Sequence, residues 1–315
     1  MTGASGTNTT TRRRILAGLA ATATVLVLGG CREPRRSLSL GTAENHGFFY
    51  DFGQSLSGGV ARSDVGFTLD PKITGGSVEN LRSIMAGELD QALVLADVAM
   101  TERDKLRAVG RLYLNYLQFA VPAASPIRKI SDLRGRTISL GGSSATTRAG
   151  HLVLQAGGVD ESKVKIRSIP ITGVLDALAS GDVDAALFAG GVPHPEMDTS
   201  RGGPSSGIRL LDLSAEQQVL QGQYGPVYQP VTLPKGLYAS VNEVGSVGIA
   251  TLLLARSDLP SEVVNRVVDI LIRKSSELVP PGTSGMQYLD TRSLIYTSGV
   301  PLHPGAAEAY KRHHG

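Results

Sequence analysis

The spacing of apolar side chains along the chain predicts alternating strands and helices. Val78, Leu81, Ile84 and Met85 recur at helical spacing, and an apolar run follows a few residues later. The same succession is predicted twice: strand, glycine-rich turn, helix, strand, short helix and buried strand. The predicted elements are helices 45–60 and 146–157, strands 66–73 and 163–171, short helices 78–86 and 173–180, buried strands 89–96 and 183–189, and one further long helix over 262–278.

The stretch ITGGSVENLRSIMAG, residues 73–87, places two glycines and a serine directly before the first short helix. Ser77 is the predicted N-cap because serine accepts a hydrogen bond from the first helical turn. Gly87 falls at the position of a C-cap. A glycine-bordered helix start also presents free N–H groups and the positive end of the helix dipole. Two interpretations follow: Ser77 only caps the helix, or the helix start binds an anionic group.

Two parts of the chain match each other, which indicates an internal repeat. AGELDQALVLAD at 86–97 matches SGDVDAALFAGG at 180–191, and SLGTA at 39–43 matches SLGGS at 139–143. Asp90 and Asp184 occupy equivalent positions ahead of the buried strands. We interpret both as structural carboxylates that bond turn amides, not as an acid–base pair.

Strands that alternate with helices at this spacing indicate βαβ units and parallel sheets, hence an α/β fold with two lobes. Ligands of such sheets bind beyond the carboxyl ends of the strands, where the glycine-rich turns gather. This predicts two lobes joined by two hinge crossings, at 122–126 and 230–238, with a ligand cleft between them. The expected boundaries are lobe 1 over 37–121 and 236–315, and lobe 2 over 122–235.

The charge balance gives no support for a nucleic-acid-binding protein. The 315 residues include 31 Lys and Arg against 28 Asp and Glu, a formal net charge of +3. Three arginines and no acid lie in the first 30 residues, so the remainder has a formal charge of zero. The 38 glycines and the absence of tryptophan are typical of a tightly turned α/β protein.

The first residues have the pattern of an exported protein. Arg12, Arg13 and Arg14 precede an apolar run over 15–28, which is too short to span a bilayer comfortably. The following LGGC resembles the lipobox of bacterial lipoproteins, and Cys31 is the only cysteine, so acylation is its expected role. TRRRIL at 11–16 also resembles a twin-arginine export signal.

These features predict a signal peptide with a lipobox cysteine over 1–31 and a tether over 32–36. The mature protein is then expected outside the cytoplasm, lipid-anchored through Cys31 to the outer face of the cell membrane. The alternative, an N-terminal anchor that stays uncleaved, places the body of the chain on the same side.

Several segments together resemble the TAXI family, the solute-binding subunits of TRAP transporters. The resemblance runs from about Leu38 to Pro260 and implies a type II periplasmic-binding-protein-like fold, a small carboxylate or amino-acid ligand, and a TRAP permease as membrane partner. The segments that carry it are GTA (41–43), FFY (48–50), TGGSVENL (74–81), GELDQALV (87–94), DVA (97–99), LRAV (106–109), LRGRTISLG (133–141) and LPKGLY (233–238).

Two turns depart from the family pattern. The first usually reads like GTAxGTYY but here is GTAENHGFFY, and the second usually carries a Gly-Ser-Gly-Thr-like turn but here is GSSATT. Both turns are expected to line the pocket. The ligand of this chain can therefore differ from the ligands that are usual for the family.

A carboxylate ligand needs donors of fixed geometry, which helix N-termini and hydroxyls supply. Glu79 either accepts a hydrogen bond from a ligand ammonium or only complements the helix dipole. The expected ligand-binding residues are Thr42, Asn45, Tyr50, Gly76, Ser77, Glu79, Asn80, Ser143, Ser144, Thr146, Thr147, Gly191 and Pro193.

Two alternatives to a transport protein are an extracytoplasmic enzyme and a ligand-sensing lipoprotein. An enzyme is not supported, because the six histidines show no metal-binding spacing and no phosphate-binding loop, dinucleotide fingerprint or nucleophile elbow occurs. His194, between two prolines, is placed in a loop at the rim of the cleft. No catalytic residue, metal or cofactor is expected. The second alternative is a ligand-sensing lipoprotein that signals to a membrane receptor.

The lipobox interpretation predicts that Cys31→Ser releases the protein from membranes, because the acylated thiol is then missing. Fractionation of cells into membrane and soluble pools, followed by immunoblotting, measures the change. A variant that stays in the membrane pool contradicts lipid anchoring through Cys31.

Overall fold

The structure is a computed structural model that describes residues 1–3, 35–238, 242–279, 289 and 291–314. The chain divides into two units, Met1–Pro34 and Arg35–Gly315, and every element below belongs to the second unit. Apart from its first three residues, the predicted signal peptide lies outside the described residues, and Cys31 lies there too.

The first lobe has the predicted order of strands and helices. Its strand β1 pairs in parallel with β2 on one side and with β3 on the other. The elements are β1 (Arg36–Gly41), α1 (Phe48–Ser63), β2 (Phe67–Lys72), α2 (Ser77–Met85), β3 (Gln91–Leu95) and α3 (Ala96–Ala99).

The second lobe repeats this order after the long strand β4 (Arg107–Pro122). Its first strand, β5, pairs in parallel with β6 and with β7, as β1 does with β2 and β3. The internal repeat in the sequence is therefore a repeat of architecture. The elements are β5 (Thr137–Ser139), α4 (Ser144–Ala156), β6 (Lys165–Arg167), α5 (Val174–Ser180) and β7 (Ala185–Gly190).

The part of the chain after β7 contributes elements to both lobes. Helix α7 has its apolar face buried in the first lobe but ends at Arg273, earlier than predicted, and a short 3-10 turn follows. The elements are β8 (Ile208–Leu210), α6 (Ser214–Tyr224), β9 (Tyr228–Leu233), β10 (Val244–Ala255), α7 (Ser261–Arg273), α8 (Thr291–Leu294) and α9 (Pro304–His314).

Strands β4 and β10 join the lobes into one mixed sheet of the order β2-β1-β3-β10-β4-β7-β5-β6. They pair antiparallel with each other over 107–116 and 248–255. Tyr116 lies opposite Gly248 of β10 and Gly190 of β7, so β4 changes neighbours at this point. Among the described residues, no helix combines the length and the apolar character needed to cross a membrane.

The two repeat aspartates have the structural role that the sequence predicts. Asp90 Oδ2 accepts a hydrogen bond from Ser39 N at 2.9 Å, and Asp184 Oδ2 accepts one from Thr137 N at 2.9 Å. The partners are amides of the first strand of each lobe rather than turn amides. Each carboxylate thus ties its first strand to the start of its buried strand.

The prediction that Ser77 is the N-cap of α2 is wrong. Gly76 is the cap residue, with a φ of 91°, and Ser77 is the first helical residue. The Ser77 side chain is fully buried, and its Oγ accepts a hydrogen bond from Leu95 N at 3.0 Å. Local pattern alone favoured a cap, but packing of α2 against the end of β3 turns the hydroxyl inward.

Asn80 holds the first lobe together below the helix start. Its Nδ2 donates to Thr42 O at 2.7 Å and to Leu93 O at 2.8 Å, while its Oδ1 accepts from Thr74 Oγ1 at 2.8 Å. The side chain is fully buried. It therefore links the turn after β1, the loop before α2 and strand β3.

We expect Asn80→Ala to lower the free energy of unfolding by about 1–3 kcal/mol, because buried polar partners lose their hydrogen bonds. Urea denaturation measures the change. Arg82→Ala, at an exposed position of the same helix, is the matched control and should change stability by no more than about 0.5 kcal/mol. Equal stability of the two variants contradicts the structural role of Asn80.

Candidate functional site

A cavity lies between the lobes at the carboxyl ends of the parallel strands. The empty space amounts to about 570 Å³, its open mouth included. Helices α1, α2 and α4 all begin there, as expected for an α/β sheet. The lining side chains include apolar ones, Phe48, Phe49, Leu95, Ile169, Ile171, Val174, Leu187 and Phe188, and polar ones, Glu44, Ser77, Asn115, Ser143, Thr146 and His194.

The starts of α2 and α4 meet at the rim of this cavity. Ser144 N donates to Gly75 O at 2.8 Å, and Val78 N donates to Ser144 Oγ at 3.3 Å. A Cβ at Gly76 would lie 3.2 Å from the Cβ of Ser143. The left-handed φ of Gly76 and this close approach both favour glycine, so the lobes are in contact here through backbone and small side chains.

The N-cap of α4 is Ser143, whose Oγ accepts from Thr146 N at 3.4 Å and shares a hydrogen bond with Thr146 Oγ1 at 2.9 Å. Both hydroxyls line the cavity. Helix α1 also begins at the cavity, after Gly47, without a side-chain cap. The field of these helix starts is positive and favours a negatively charged group in the cavity.

Asn115 is a polar side chain of β4 that faces the cavity without a hydrogen-bond partner among the described residues. Only 4% of the residue is exposed. Buried amides are nearly always hydrogen-bonded, so an open amide in a cavity is a group that a ligand or water can satisfy.

His194 is 2% exposed and follows β7 in a loop that a buried network holds. Tyr238 OH accepts from His194 N at 3.1 Å and donates to Gln118 Oε1 at 2.6 Å, while Gln118 Nε2 donates to Gly191 O at 3.2 Å. Burial lowers the pKa of His194 to about 4, so its ring is neutral at pH 7.

The tautomer of His194 follows from its surroundings. Its Nδ1 accepts from Glu196 N at 3.3 Å, which puts the ring proton of the neutral form on Nε2. No described residue accepts a hydrogen bond from Nε2. His194 therefore presents one N–H donor to the cavity that it lines.

Glu44 reaches into the cavity from the turn between β1 and α1. Its Oε2 accepts from Ile171 N of the second lobe at 3.4 Å. Burial raises the pKa of Glu44, and the hydrogen bond from Ile171 opposes this shift. Among the described residues, no arginine or lysine forms an ion pair with Glu44.

Four of the predicted site residues line the cavity: Gly76, Ser77, Ser143 and Thr146. Ser144 and Thr147 lie in an outer groove beside it, together with Gly75. Glu79 is not in the lining, because its Oε2 accepts from Gly75 N at 2.8 Å.

The other predicted site residues lie outside the lining as well. Thr42 and Asn80 are committed to internal hydrogen bonds, and the Gly191 carbonyl is bonded to Gln118. The remaining three are the exposed Asn45 and the half-buried Tyr50 and Pro193.

Three polar residues of the cavity were not among the predicted site residues: Glu44, Asn115 and His194. Each has a signal in the sequence. Glu44 stands in the turn that departs from the family pattern, Asn115 interrupts the apolar run of β4, and His194 lies between two prolines after a buried strand. Only the structure shows that these three signals converge.

A buried ion pair links the lobes beside the cavity. Arg148 Nη1 of α4 donates to Asp97 Oδ2 of α3, and Tyr228 OH donates to the same oxygen at 2.9 Å. The Asp97 side chain is 3% exposed and the Arg148 side chain 34%. Burial raises the pKa of Asp97, whereas Arg148 and Tyr228 stabilise its charged form. Arg148 is thus engaged with Asp97 instead of standing free for a ligand.

The chain belongs to the NMT1-like family, whose model matches residues 40–313. The matched region spans the described lobes and the cavity between them.

Solved structures of low sequence identity have a similar fold. Protein XAC2383 from Xanthomonas citri, bound to chloride ion, is 17% identical, with 89% of this chain and 99% of that chain covered and a TM-score of 0.50. A protein of Bordetella bronchiseptica RB50 is 14% identical, with 87% and 82% covered and a TM-score of 0.50. The periplasmic aliphatic sulphonate binding protein SsuA from Escherichia coli is 16% identical, with 89% and 84% covered and a TM-score of 0.46.

The predicted fold class is confirmed: an α/β fold of the type II periplasmic-binding-protein kind, with two lobes and a cleft between them. The two predicted parallel sheets are the flanks of one continuous sheet, because β4 and β10 pair along the junction.

We expect Arg148→Met to destabilise the protein, because Asp97 then stays buried without its cation. The loss should fall below the roughly 3–5 kcal/mol typical of a fully buried pair, since water reaches Arg148. Since the pair spans the lobes, the radius of gyration without ligand should also rise. Urea denaturation and small-angle scattering measure the two effects.

The matched control is Arg136→Met, which removes an arginine 3.6 Å from Asp184 within the second lobe alone. It should leave the radius of gyration unchanged. An unchanged radius of gyration in both variants argues against Arg148 and Asp97 as a link between the lobes.

Proposed function

We propose that this protein is an extracytoplasmic solute-binding protein that captures a small anionic or zwitterionic solute between its lobes. Closure of the lobes around the two crossing strands β4 and β10 encloses the solute. The protein then delivers it to a TRAP-type membrane permease. It releases its ligand chemically unaltered and is not an enzyme.

The observation that carries this proposal is the open donor set of the cavity. Asn115 and His194 are nearly buried residues that line the cavity, and neither the Asn115 amide nor the His194 Nε2–H has a partner among the described residues. Both groups are accessible from the cavity, so each can donate to a bound acceptor. A carboxylate oxygen is such an acceptor.

The helix starts supply the second part of the recognition. Helices α1, α2 and α4 contain 16, 9 and 13 residues and all begin at the cavity. Several of their first N–H groups are bonded within the protein, but the helix dipoles still attract an anionic group, with no lysine or arginine among the described lining residues. Apolar side chains surround these donors, and a low-dielectric lining of this kind strengthens each hydrogen bond to a bound ligand.

The transport role rests on the family resemblance of the sequence. TGGSVENL at 74–81 forms the start of α2 at the cavity rim, and GELDQALV at 87–94 leads into β3. Both segments resemble the TAXI subunits of TRAP transporters, which capture solutes for a permease. The lipobox cysteine Cys31 supports a protein held at the membrane beside such a permease.

The ligand-binding set that we propose combines predicted residues with those that the fold adds. Gly76, Ser77, Ser143 and Thr146 line the cavity together with Asn115 and His194. Thr42, Asn80 and Gly191 hold the surrounding loops. Ser144 and Thr147 take part at the outer rim, where the lobes close.

We expect Asn115→Leu to weaken ligand binding without loss of stability, because the amide has no partner to lose among the described residues. A lost hydrogen bond to a charged ligand group is worth about 1.5–3 kcal/mol, a tenfold or greater change in Kd. The experiment identifies the solute retained through purification by mass spectrometry, then titrates it calorimetrically into both proteins.

Gln155→Leu, at an exposed position of α4, is the matched control and should keep the wild-type Kd. Melting curves of both variants accompany the titrations. Full affinity of Asn115→Leu removes the main support for binding in this cavity, and steady turnover of the solute would favour an enzyme instead.

A further inference from the structure

The cavity has one negatively charged side chain and no positively charged one among the described residues that line it. Glu44 is the carboxylate, and neither lysine nor arginine occurs in the lining. His194 is the other titratable side chain there, and burial keeps it neutral at pH 7 because its pKa is about 4. The cavity therefore has a negative charge at Glu44 opposite the positive field of the helix starts.

The carboxylate of Glu44 is held against the second lobe. Its Oε2 contacts Ile171 N at 3.4 Å, and a Cβ at residue 142 would lie 2.5 Å from the same oxygen. Gly142 thus makes room for the carboxylate where the two lobes are in contact. One long hydrogen bond leaves most of the acceptor capacity of Glu44 unused, since a carboxylate accepts several.

The buried carboxylate of Asp97 has a compensating cation, which the half-buried Glu44 lacks among the described residues. Asp97 is paired with Arg148 and Tyr228, so its charge is compensated within the protein. No described lysine or arginine compensates Glu44. Enclosing an uncompensated carboxylate is costly, and a ligand that brings its own cation removes that cost.

We propose that Glu44 is the selectivity residue of the cavity and requires the ligand to carry a cationic nitrogen. The protein then binds zwitterions, whose acid group faces the helix starts and whose ammonium contacts Glu44, and it rejects acids of the same shape that lack the nitrogen. This proposal rests on the proposed solute-binding function and narrows its ligand class.

The position of Glu44 makes this selectivity particular to the chain. Glu44, Asn45 and His46 occupy the turn that departs from the family pattern, and Glu44 alone of these lines the cavity. Glu79, the acid that the sequence suggested for an ammonium, is bonded to Gly75 N outside the lining.

The test uses full-length protein and four pairs of probes that differ by an ammonium group: L-alanine and propionate, L-leucine and 4-methylvalerate, L-glutamate and glutarate, and taurine and ethanesulfonate. Calorimetry at pH 7 gives Kd values for wild type, Glu44→Gln and Glu44→Ala. For the pair that binds, wild type should prefer the ammonium-bearing member at least about tenfold.

In Glu44→Gln this preference should fall to near unity, mainly through weaker binding of the zwitterion, while the amide still accepts from Ile171 N. Glu44→Ala should behave alike, and melting curves confirm that both variants fold. Glu102→Gln, at a half-buried acid that is paired with Lys105 outside the cavity lining, is the matched control and should keep the wild-type preference.

Equal wild-type binding of both members, or an unchanged preference in Glu44→Gln and Glu44→Ala, overturns the role of Glu44 and leaves solute binding intact. A co-purified solute without a cationic nitrogen also overturns it. If no solute is retained and no probe of either kind binds, the proposed function itself fails.

Discussion

The antiparallel pairing of β4 with β10 is the constraint on which the remaining structure depends. Strand β4 is buried along nearly its whole length and borders β10 in its first part and β7 in its second. Both lobes are therefore built outward from one pair of strands. Asn115 lies on β4 next to Tyr116, where the neighbour changes, and this places its amide at the junction of the lobes.

Close packing around these strands leaves little freedom at the junction. A Cβ at Gly110 would lie 2.4 Å from the hydroxyl of Tyr310, which donates to Val109 O, and one at Gly248 would lie 2.7 Å from Val231. Interiors this dense transmit a displacement of one strand to the next. Any change in the angle between the lobes must therefore act through β4 and β10 and alter the cavity between them.

Two carboxylates, the buried Asp97 and the half-buried Glu44, have different electrostatic roles between the lobes. Asp97 is compensated by Arg148 across the lobes and stabilises their contact, whereas Glu44 faces the cavity without a cation among the described residues. The helix starts add a positive field without a titratable group. The cavity is thus polarised by fixed backbone groups at one place and by a single side chain at another.

The sequence alone determined the periodic features: the order of strands and helices, the repeat, the edge of the sheet where the cavity lies, and the structural character of Asp90 and Asp184. These follow from side-chain spacing and turn residues, which act over a few positions. The sequence also identified four of the residues that line the cavity, because each of them lies at the start of a helix.

Only the tertiary structure decided which polar side chains form hydrogen bonds within the protein and which face the cavity without a partner among the described residues. Ser77 and Asn80 look alike in sequence as helix-start donors, yet Asn80 is bonded to Thr42 and Leu93, whereas Ser77 accepts from Leu95 and still lines the cavity. Asn115, Glu44 and His194 lie far apart in the chain and meet because β4 joins the two lobes. Hydrogen bonds and burial depend on such distant partners, and spacing along the chain contains no information about them.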